Sequence, residues 1–489
     1  MNGGFKMFTF LGGLIILLCG FLFYSKYVEK VFGANLSQKT PAYQCEDGVD
    51  YIPMPTWKLH LIQFLNIAGL GPIFGAVQGA LYGPVAFLWV IFGCVLGGAV
   101  HDYMGGMISL RHNGASLSEI HGMYLGKFVQ KIMRVMTVFF CMIVGIVFIA
   151  SPAALLAKLT PDVLNKQFWI GIIIIYYFLA TMLPIDKIIG KIYPLFGAAL
   201  LFMAIGVAGA ILLKGYTIPE LSFSNLHPKG TSIWPNMFIT IACGAVSGFH
   251  ATQSPMVARC LKNEGDGRKV FYGAMIVEGV VALIWIAAGL AFFGGTKELA
   301  GMVLSEAGPA GTVFDITKSL LGPVGSVFAM LGIIFCPIST GDTSFRSARL
   351  TLAEIIGYPQ DKIKNRLILA VPIFVVAIFF TFVDFPILWR YMTWLTQAFA
   401  MVTLWASSVY LYKNSKNYWI TVLPAVFMTM VSISYILQAK EGFQLSPSFS
   451  NIAALVVTLV CIVTFTLKMK GYSGTDELSD KLNSTKVSQ

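Results

Sequence analysis

Charge is what this sequence lacks most. Only 12% of its 489 residues are charged, about half the roughly 25% usual in soluble domains. Thirty-four basic and 23 acidic side chains cannot cover a soluble domain of this length, which excludes a soluble globular protein. A disordered chain would be poor in apolar residues, and 56% of this one is hydrophobic, with a mean hydropathy of +0.75. Catalytic signatures are missing too: no Walker motif, no GxSxG, no HExxH and no GxGxxG before a helix occurs. Nothing is expected to bind ATP, and no cofactor or enzymatic activity is implied. There is no CxxC and no Cys/His spacing of a zinc module. Cys45 sits in a polar loop. The other seven cysteines, Cys243 among them, lie in or beside apolar segments and read as small buried hydrophobes.

What is present is apolar chain in long runs. A span needs about 20 mostly apolar residues, and thirteen candidates fit: 5–25, 59–80, 83–108, 128–150, 168–184, 189–213, 235–258, 269–293, 319–341, 366–383, 386–411, 418–438 and 451–468. The first run follows Lys6 but ends at Tyr24-Ser25-Lys26 without a small-residue cleavage site, so a retained helix is expected. The net charge of +11 suggests nucleic acid, but the basic residues lie between the apolar runs and read as topology signals. One set of connections holds 25 of the 34 Lys and Arg residues and the alternate set 9. The asymmetry predicts thirteen spans, with the N-terminus outside and the C-terminus in the cytoplasm. The layout expected is an N-terminal helix and cytoplasmic loop over 1–58, two halves over 59–213 and 214–411, two further helices over 412–470, and a disordered polar tail over 471–489. In the first loop, Asp47 and Asp50 suit turn capping more than cation binding.

Two spans are interrupted. The second carries Asn66-Ile67-Ala68-Gly69-Leu70-Gly71-Pro72, where glycine loosens the backbone and proline removes a donor. The seventh carries Ser247-Gly248-Phe249-His250-Ala251-Thr252-Gln253-Ser254-Pro255, polar at membrane depth. Irregular backbone in a bilayer is tolerated only against protein or a water-filled cavity. The breaks lie five spans apart, so the two helices cross in opposite directions. That is the pattern of an inverted repeat whose broken helices form a midplane substrate site; a pair of ordinary proline kinks is the alternative. Substrate contacts are assigned to Asn66, Gly69, Gly71, Ser247, His250, Thr252 and Gln253.

Ionisable groups at membrane depth are the next signal. Glu278 lies near the middle of the eighth span, where a charge costs roughly 2.5–3.5 kcal/mol on insertion scales. It must be paired, protonated or facing water, which suits a proton carrier or a structural hydrogen bond. His250 lies inside the second break and suits proton or carboxylate binding. His101 and Asp102 close the third span on the cytoplasmic side; adjacent helical residues face apart, so no simple pair is expected. These four form the proton-coupling set. Ser339, Asp342 and Thr343, at the end of the ninth span, offer hydroxyls, a carboxylate and free carbonyls to a monovalent cation such as sodium. An i,i+4 pair between Asp342 and Arg346 is the plainer reading.

The sequence resembles the carbon starvation protein A family of bacterial inner-membrane transporters. The resemblance is carried by Thr40-Pro41-Ala42 with Asp47 to Pro53, Ile67 to Ile73, Gly98 to Tyr103, Ser109 to Ser118, Ser247 to Cys260, Glu278 with Ala282 to Trp285, and Ser339 to Leu350. It implies an all-α membrane fold with a five-plus-five inverted-repeat core like that of the amino acid–polyamine–organocation superfamily. It also implies uptake of short peptides or pyruvate, proton-coupled and used in carbon starvation. Many members have a histidine pair where this chain has Ile62 and Gln63, so that histidine's role is not carried over. The chain is also shorter than the long members. The leading reading is thus a secondary transporter in a lipid bilayer, taking a small-molecule substrate with H+ or Na+ and no nucleic acid. A passive channel would give flux without accumulation, and a membrane enzyme or sensor would need a catalytic or signalling unit that the sequence does not contain.

Overall fold

The computed structural model describes residues 7–48, 50–182, 185–305, 308–360 and 362–470. The tail over 471–489 lies outside the described residues. The protein is all-helical: among the described residues the β pairing is one isolated bridge, Met54 to Leu261. In chain order the main helices are α1 (Phe8–Phe32), α2 (Thr56–Ala68), α3 (Gly71–Tyr82), α4 (Val85–Arg111), α5 (Leu117–Leu125) and α6 (Lys127–Leu159). Next come α7 (Lys166–Met182), α8 (Ile185–Leu213), α9 (Asn236–Thr240), α10 (Phe249–Ala258), α11 (Glu264–Phe293) and α12 (Thr296–Val303). The last are α13 (Gly308–Ile356), α14 (Ile363–Phe380), α15 (Phe385–Lys413), α16 (Trp419–Gln438) and α17 (Pro447–Lys470).

Among the described residues, seven of these helices are long and apolar enough to cross a bilayer, and α2 with α3, bent by 52° at their junction, can make an eighth. The other expected spans are helices of a different kind. α7 and the apolar part of α8, Gly197–Leu213, are short, the helix over 308–356 is kinked at Gly322, α15 carries polar side chains, and the 235–258 segment is split between α9 and α10. Local chemistry sets the turns between helices. Ser116 and Glu119 form a reciprocal capping box at α5. Asp384 precedes α15 with Pro386 in its first turn, which separates it from α14. Asp47 Oδ1 accepts the Asp50 and Tyr51 N–H groups at 2.9 Å each, the capping arrangement.

Burial sorts the helices. α11 runs through the centre, with Tyr272, Glu278 and Trp285 fully buried. α1, α14 and α17 lie outside, exposing Phe8, Ile15, Phe379, Ile452 and Val460, as lipid-facing helices do. The buried-hydrophobe reading of seven cysteines holds for Cys94, Cys141 and Cys260 but needs correction for Cys19, which is exposed, and for Cys243 and Cys461, which are half-buried; Cys45, in its polar loop, is exposed. At one face Arg111, ending α4, donates to Gly33 O at 2.6 Å, to Tyr410 Oη at 2.9 Å and to Glu264 Oε2 at 3.0 Å. The ends of α1, α4, α11 and α15 are tied there.

The first break falls where expected, at Gly69-Leu70. The second does not: the unwound segment is 241–248, and the expected break at 247–255 is mostly the regular helix α10, with Pro255 inside it. Packing explains the shift. Gly71, Gly75 and Gly79 recur every four residues on α3, the small-residue spacing of close membrane packing. A Cβ at each would come within 2.3 Å of Cys243 Cβ, 2.9 Å of Thr240 O and 2.2 Å of Ile241 Cγ1. From α4, a Cβ at Gly98 would lie 2.1 Å from Ala245 O. The backbone of 241–248 is clasped between these faces, and its polar groups are met by side chains and neighbouring backbone as a bilayer requires. Trp89 Nε1 donates to Ile241 O at 2.9 Å, and Gly248 N donates to Thr396 O at 2.9 Å. Gly244, at φ +87°, takes the left-handed turn open mainly to glycine.

A Cβ at Gly248 would lie 2.2 Å from Ala400 N, a backbone atom, whereas one at Gly209 would meet nothing within 4 Å. Gly248→Ala is expected to cost about 1–3 kcal/mol, read as a lower thermal midpoint in detergent, and Gly209→Ala to leave it unchanged or slightly raised. Equal midpoints for the two variants would contradict this packing.

Candidate functional site

The site forms where α4, α10 and α11 meet the unwound 241–248 segment. In α4 the turns over Trp89–Gly98 are π-helical, a local register change common near functional positions. They end just before His101 and Asp102, both 0% exposed. On α10, His250 occupies the first turn after the unwound segment and is also 0% exposed, as is Glu278 on α11.

These four side chains make one row. Asp102 Oδ1 lies 2.8 Å from His101 Nδ1, and Asp102 Oδ2 lies 2.8 Å from His250 Nδ1. On the far side of His250, Nε2 is 3.3 Å from Glu278 Oε2. That contact is within ion-pair distance but not aligned as a hydrogen bond, so both atoms are left without one. Glu278 Oε1 accepts the Gly244 N–H at 3.1 Å. The unwound backbone thus holds one oxygen of the carboxylate and leaves the other facing the imidazole. Two carboxylates buried together are costly unless positive charge is shared among them.

The expectation that His101 and Asp102 stand apart is therefore corrected. They are about 100° apart around the helix, close enough for Nδ1 to reach the neighbouring carboxylate. They also lie inside the buried core rather than at an exposed span end.

The remaining expected residues divide. Gly71 abuts Cys243, and Ser247 Oγ lies 3.5 Å from Cys243 Sγ, so both border the row. Asn66 and Gln253 are buried, each with its amide oxygen unpartnered, and Gln253 Nε2 donates to Thr252 Oγ1 at 2.9 Å. Thr252 is half-buried, its hydroxyl given to Phe249 O. Gly69 packs beside Phe148 and Thr340. The cation group looks different from its sequence reading. α13 runs as helix through Ser339, Asp342 and Thr343 rather than ending there, so free carbonyls are not offered. The Thr343 hydroxyl donates to Thr340 O at 3.0 Å. Asp342 is buried with neither oxygen hydrogen-bonded, while Arg346 donates to Ala180 O at 2.6 Å. The Ser339 side chain lies outside the described residues.

Three residues were missed by sequence reasoning. Cys243 places its sulfur among the donors of His250 and Glu278, all within 4.8 Å of one another. Gln63, at the position where many relatives of the resembling family carry histidine, donates to Ser254 Oγ at 3.3 Å. Ser254 in turn donates to His250 O at 3.0 Å, so Gln63 braces the same helix. His121 on α5 is fully buried with Nε2 3.2 Å from Thr403 Oγ1. An apolar groove of about 610 Å³ lined by Trp89, Phe92, Phe238 and Phe427 contains none of these groups.

Comparison with known families matches the chain to the family described as carbon starvation protein CstA, over residues 6–163 and 152–292. An uncharacterized membrane protein of Haemophilus influenzae is 43% identical over 345 residues, covering 60% of this chain and 93% of that one. The pyruvate/proton symporter BtsT of Escherichia coli is 28% identical over 345 residues, covering 56% of this chain and 47% of BtsT. The peptide transporter CstA of Helicobacter pylori is 30% identical over 336 residues, covering 54% of this chain and 48% of the transporter. The chain spans about half the length of these two transporters. Among solved structures, MhsT in complex with L-phenylalanine aligns with a TM-score of 0.55 at 14% identity, over 84% of this chain and 99% of MhsT. At that identity the likeness concerns the fold alone.

Removing Asp102 would leave two buried imidazoles without their shared acceptor. Asp102→Ala is expected to lower unfolding free energy by about 3–5 kcal/mol, and Thr252→Ala by less than about 1 kcal/mol, measured by denaturant titration in detergent. Equal losses would contradict a tightly bonded row.

Proposed function

The chain belongs to the carbon starvation protein CstA family, and from that premise we propose that it is a proton-coupled secondary transporter importing pyruvate or a similarly small carboxylate. The observation that carries this is the buried row His101–Asp102–His250–Glu278 at the junction of the two helix breaks. A proton on His250 balances the carboxylates on either side of it. Its loss or gain changes which of Asp102 and Glu278 the imidazole holds, and so how the unwound segment sits against α11. The family's named members include a pyruvate/proton symporter and peptide transporters, all transporters rather than enzymes.

The N-terminal end of α10, where the first N–H groups of a helix have no partner within the helix, favours a substrate carboxylate. Substrate contacts are proposed for Asn66, Gly69, Gly71, Ser247, His250, Thr252 and Gln253, and coupling for His101, Asp102, His250 and Glu278. Asn66 and Gln253 present buried amide oxygens without partners, the kind of group a bound substrate would satisfy. A short peptide is the second reading, favoured by the relatives' activity; its ammonium end needs an acidic acceptor, and Asp342 has both oxygens free of hydrogen bonds. Asp342 with Thr343 and Ser339 is also the place for Na+ if sodium replaces the proton.

The membrane arrangement proposed is thirteen spans, N-terminus outside and C-terminus cytoplasmic, in the bacterial inner membrane. A five-plus-five inverted repeat relates 59–213 to 214–411. The two breaks meeting at Gly71 and Cys243 and the 25-to-9 distribution of basic residues support it. The proposal extends to a role in carbon starvation, which the family's description supports.

The test uses purified protein in sodium-free liposomes with an inward proton gradient. Labelled pyruvate is expected to accumulate and an ionophore to abolish it. Glu278→Gln should cut accumulation at least about tenfold, the loss of roughly 1.4 kcal/mol or more of coupling. Full gradient-driven accumulation by that variant, or accumulation of a dipeptide but not of pyruvate, overturns the respective half of the proposal.

A further inference from the structure

Three donor groups converge beside the unwound segment: Cys243 Sγ, an imidazole nitrogen of His250 and a carboxylate oxygen of Glu278, all within 4.8 Å of one another. We propose that they form a binding site for a borderline-soft divalent transition cation, with zinc the best fit. The donor set is the first argument. Thiolate, imidazole and carboxylate together suit zinc and disfavour magnesium or calcium, which take oxygen ligands.

Spacing is the second. With Zn–N near 2.0–2.1 Å and Zn–O near 2.0–2.2 Å, two ligands on one tetrahedral edge stand about 3.3–3.4 Å apart. His250 Nε2 and Glu278 Oε2 stand 3.3 Å apart. Neither atom makes a hydrogen bond, although both residues are fully buried. With His250 neutral and its Nδ1–H given to Asp102, Nε2 and the Glu278 oxygen present lone pairs to each other, an arrangement that a metal cation between them satisfies in place of a proton.

The third argument is the support behind each ligand. Ligating histidines commonly give their other nitrogen to a carboxylate, and ligating carboxylates are themselves hydrogen-bonded. Here Asp102 holds His250 Nδ1 at 2.8 Å, Gly244 N–H holds Glu278 Oε1 at 3.1 Å, and Ser247 Oγ lies 3.5 Å from Cys243 Sγ. Three protein ligands leave a fourth position for water or a carboxylate oxygen. Cys243 is half-buried, which gives an approach to a site whose other members are closed off. Binding deprotonates the thiol and releases that proton. Because Nε2 of His250 is shared, the metal and a proton on that nitrogen exclude each other.

The site stands on its own geometry and does not depend on what the chain transports, so the test reads metal directly. Full-length protein carrying Cys19→Ser and Cys45→Ser, which removes the exposed thiols among the described residues, is titrated in detergent with Co2+ as an optical probe and then with Zn2+. One Co2+ per chain is expected, with a thiolate-to-cobalt charge-transfer band that one equivalent of Zn2+ erases. Cys243→Ser, a one-atom change, should abolish that band. Asp102→Asn keeps all three ligands and should weaken cobalt binding about 10–100-fold. A band that persists in Cys243→Ser, or the lack of any stoichiometric Co2+ binding, overturns the site. Cobalt binding without pyruvate uptake would uphold it and sink the pyruvate reading; uptake without cobalt binding would do the reverse.

Discussion

The hydrogen bond from His250 to Asp102 is the constraint on which the rest depends. It joins α4 to α10 across the core at 2.8 Å, between two groups that are each 0% exposed. An imidazole facing carboxylates on both sides cannot be buried in any other arrangement without large cost. To keep it, the backbone of 241–248 must pass within contact of α3 and α4, and it does so only because those helices present glycine. The row and the glycine clasp are therefore one design seen from two directions: small residues bring the unwound backbone in, and that backbone supplies the N–H that fixes Glu278.

This coupling gives a physical picture of how a cation and a conformation could be linked. The unwound segment contacts Glu278 through Gly244 and α15 through Gly248. A change in the charge on His250 is felt at both ends of that segment. Gln63, through Ser254, reaches the carbonyl of His250 from the first broken helix. The helix that leads to the first break is thus linked to His250, and the second break to Glu278 through Gly244.

Much of this was legible in the sequence. Glycine and proline in Gly69-Leu70-Gly71-Pro72 marked the first break where it lies, and isolated carboxylates and histidines in apolar runs marked all four members of the row. What the sequence could not show was their partnership. Asp102 was set apart from His101 by counting helix faces, but a histidine ring is long enough to reach back across one residue. The second break was placed too late because polarity and Pro255 drew attention to 247–255, whereas the helix tolerates that proline and unwinds earlier at Gly244. The spacing of Gly71, Gly75 and Gly79 was a readable signal of what would pack there. Cys243 looked like any membrane cysteine, since its significance lies in Glu278, thirty-five residues away and on another helix. Asp342 was read as lying at a helix end with free carbonyls, but past the kink at Gly322 the helix runs on through Asp342 to Ile356, which removes those carbonyls.

The most direct measurement is of substrate-driven proton movement. In liposomes holding a pH-sensitive dye, with no imposed gradient, external pyruvate is added to the wild-type chain and to Asp102→Asn. The account predicts that pyruvate drives proton influx in the wild type. In Asp102→Asn the proton signal should vanish while exchange of labelled for unlabelled pyruvate continues, because the site remains and only its charge balance is lost. Proton influx of undiminished size in Asp102→Asn would contradict the claim that the row couples the two fluxes.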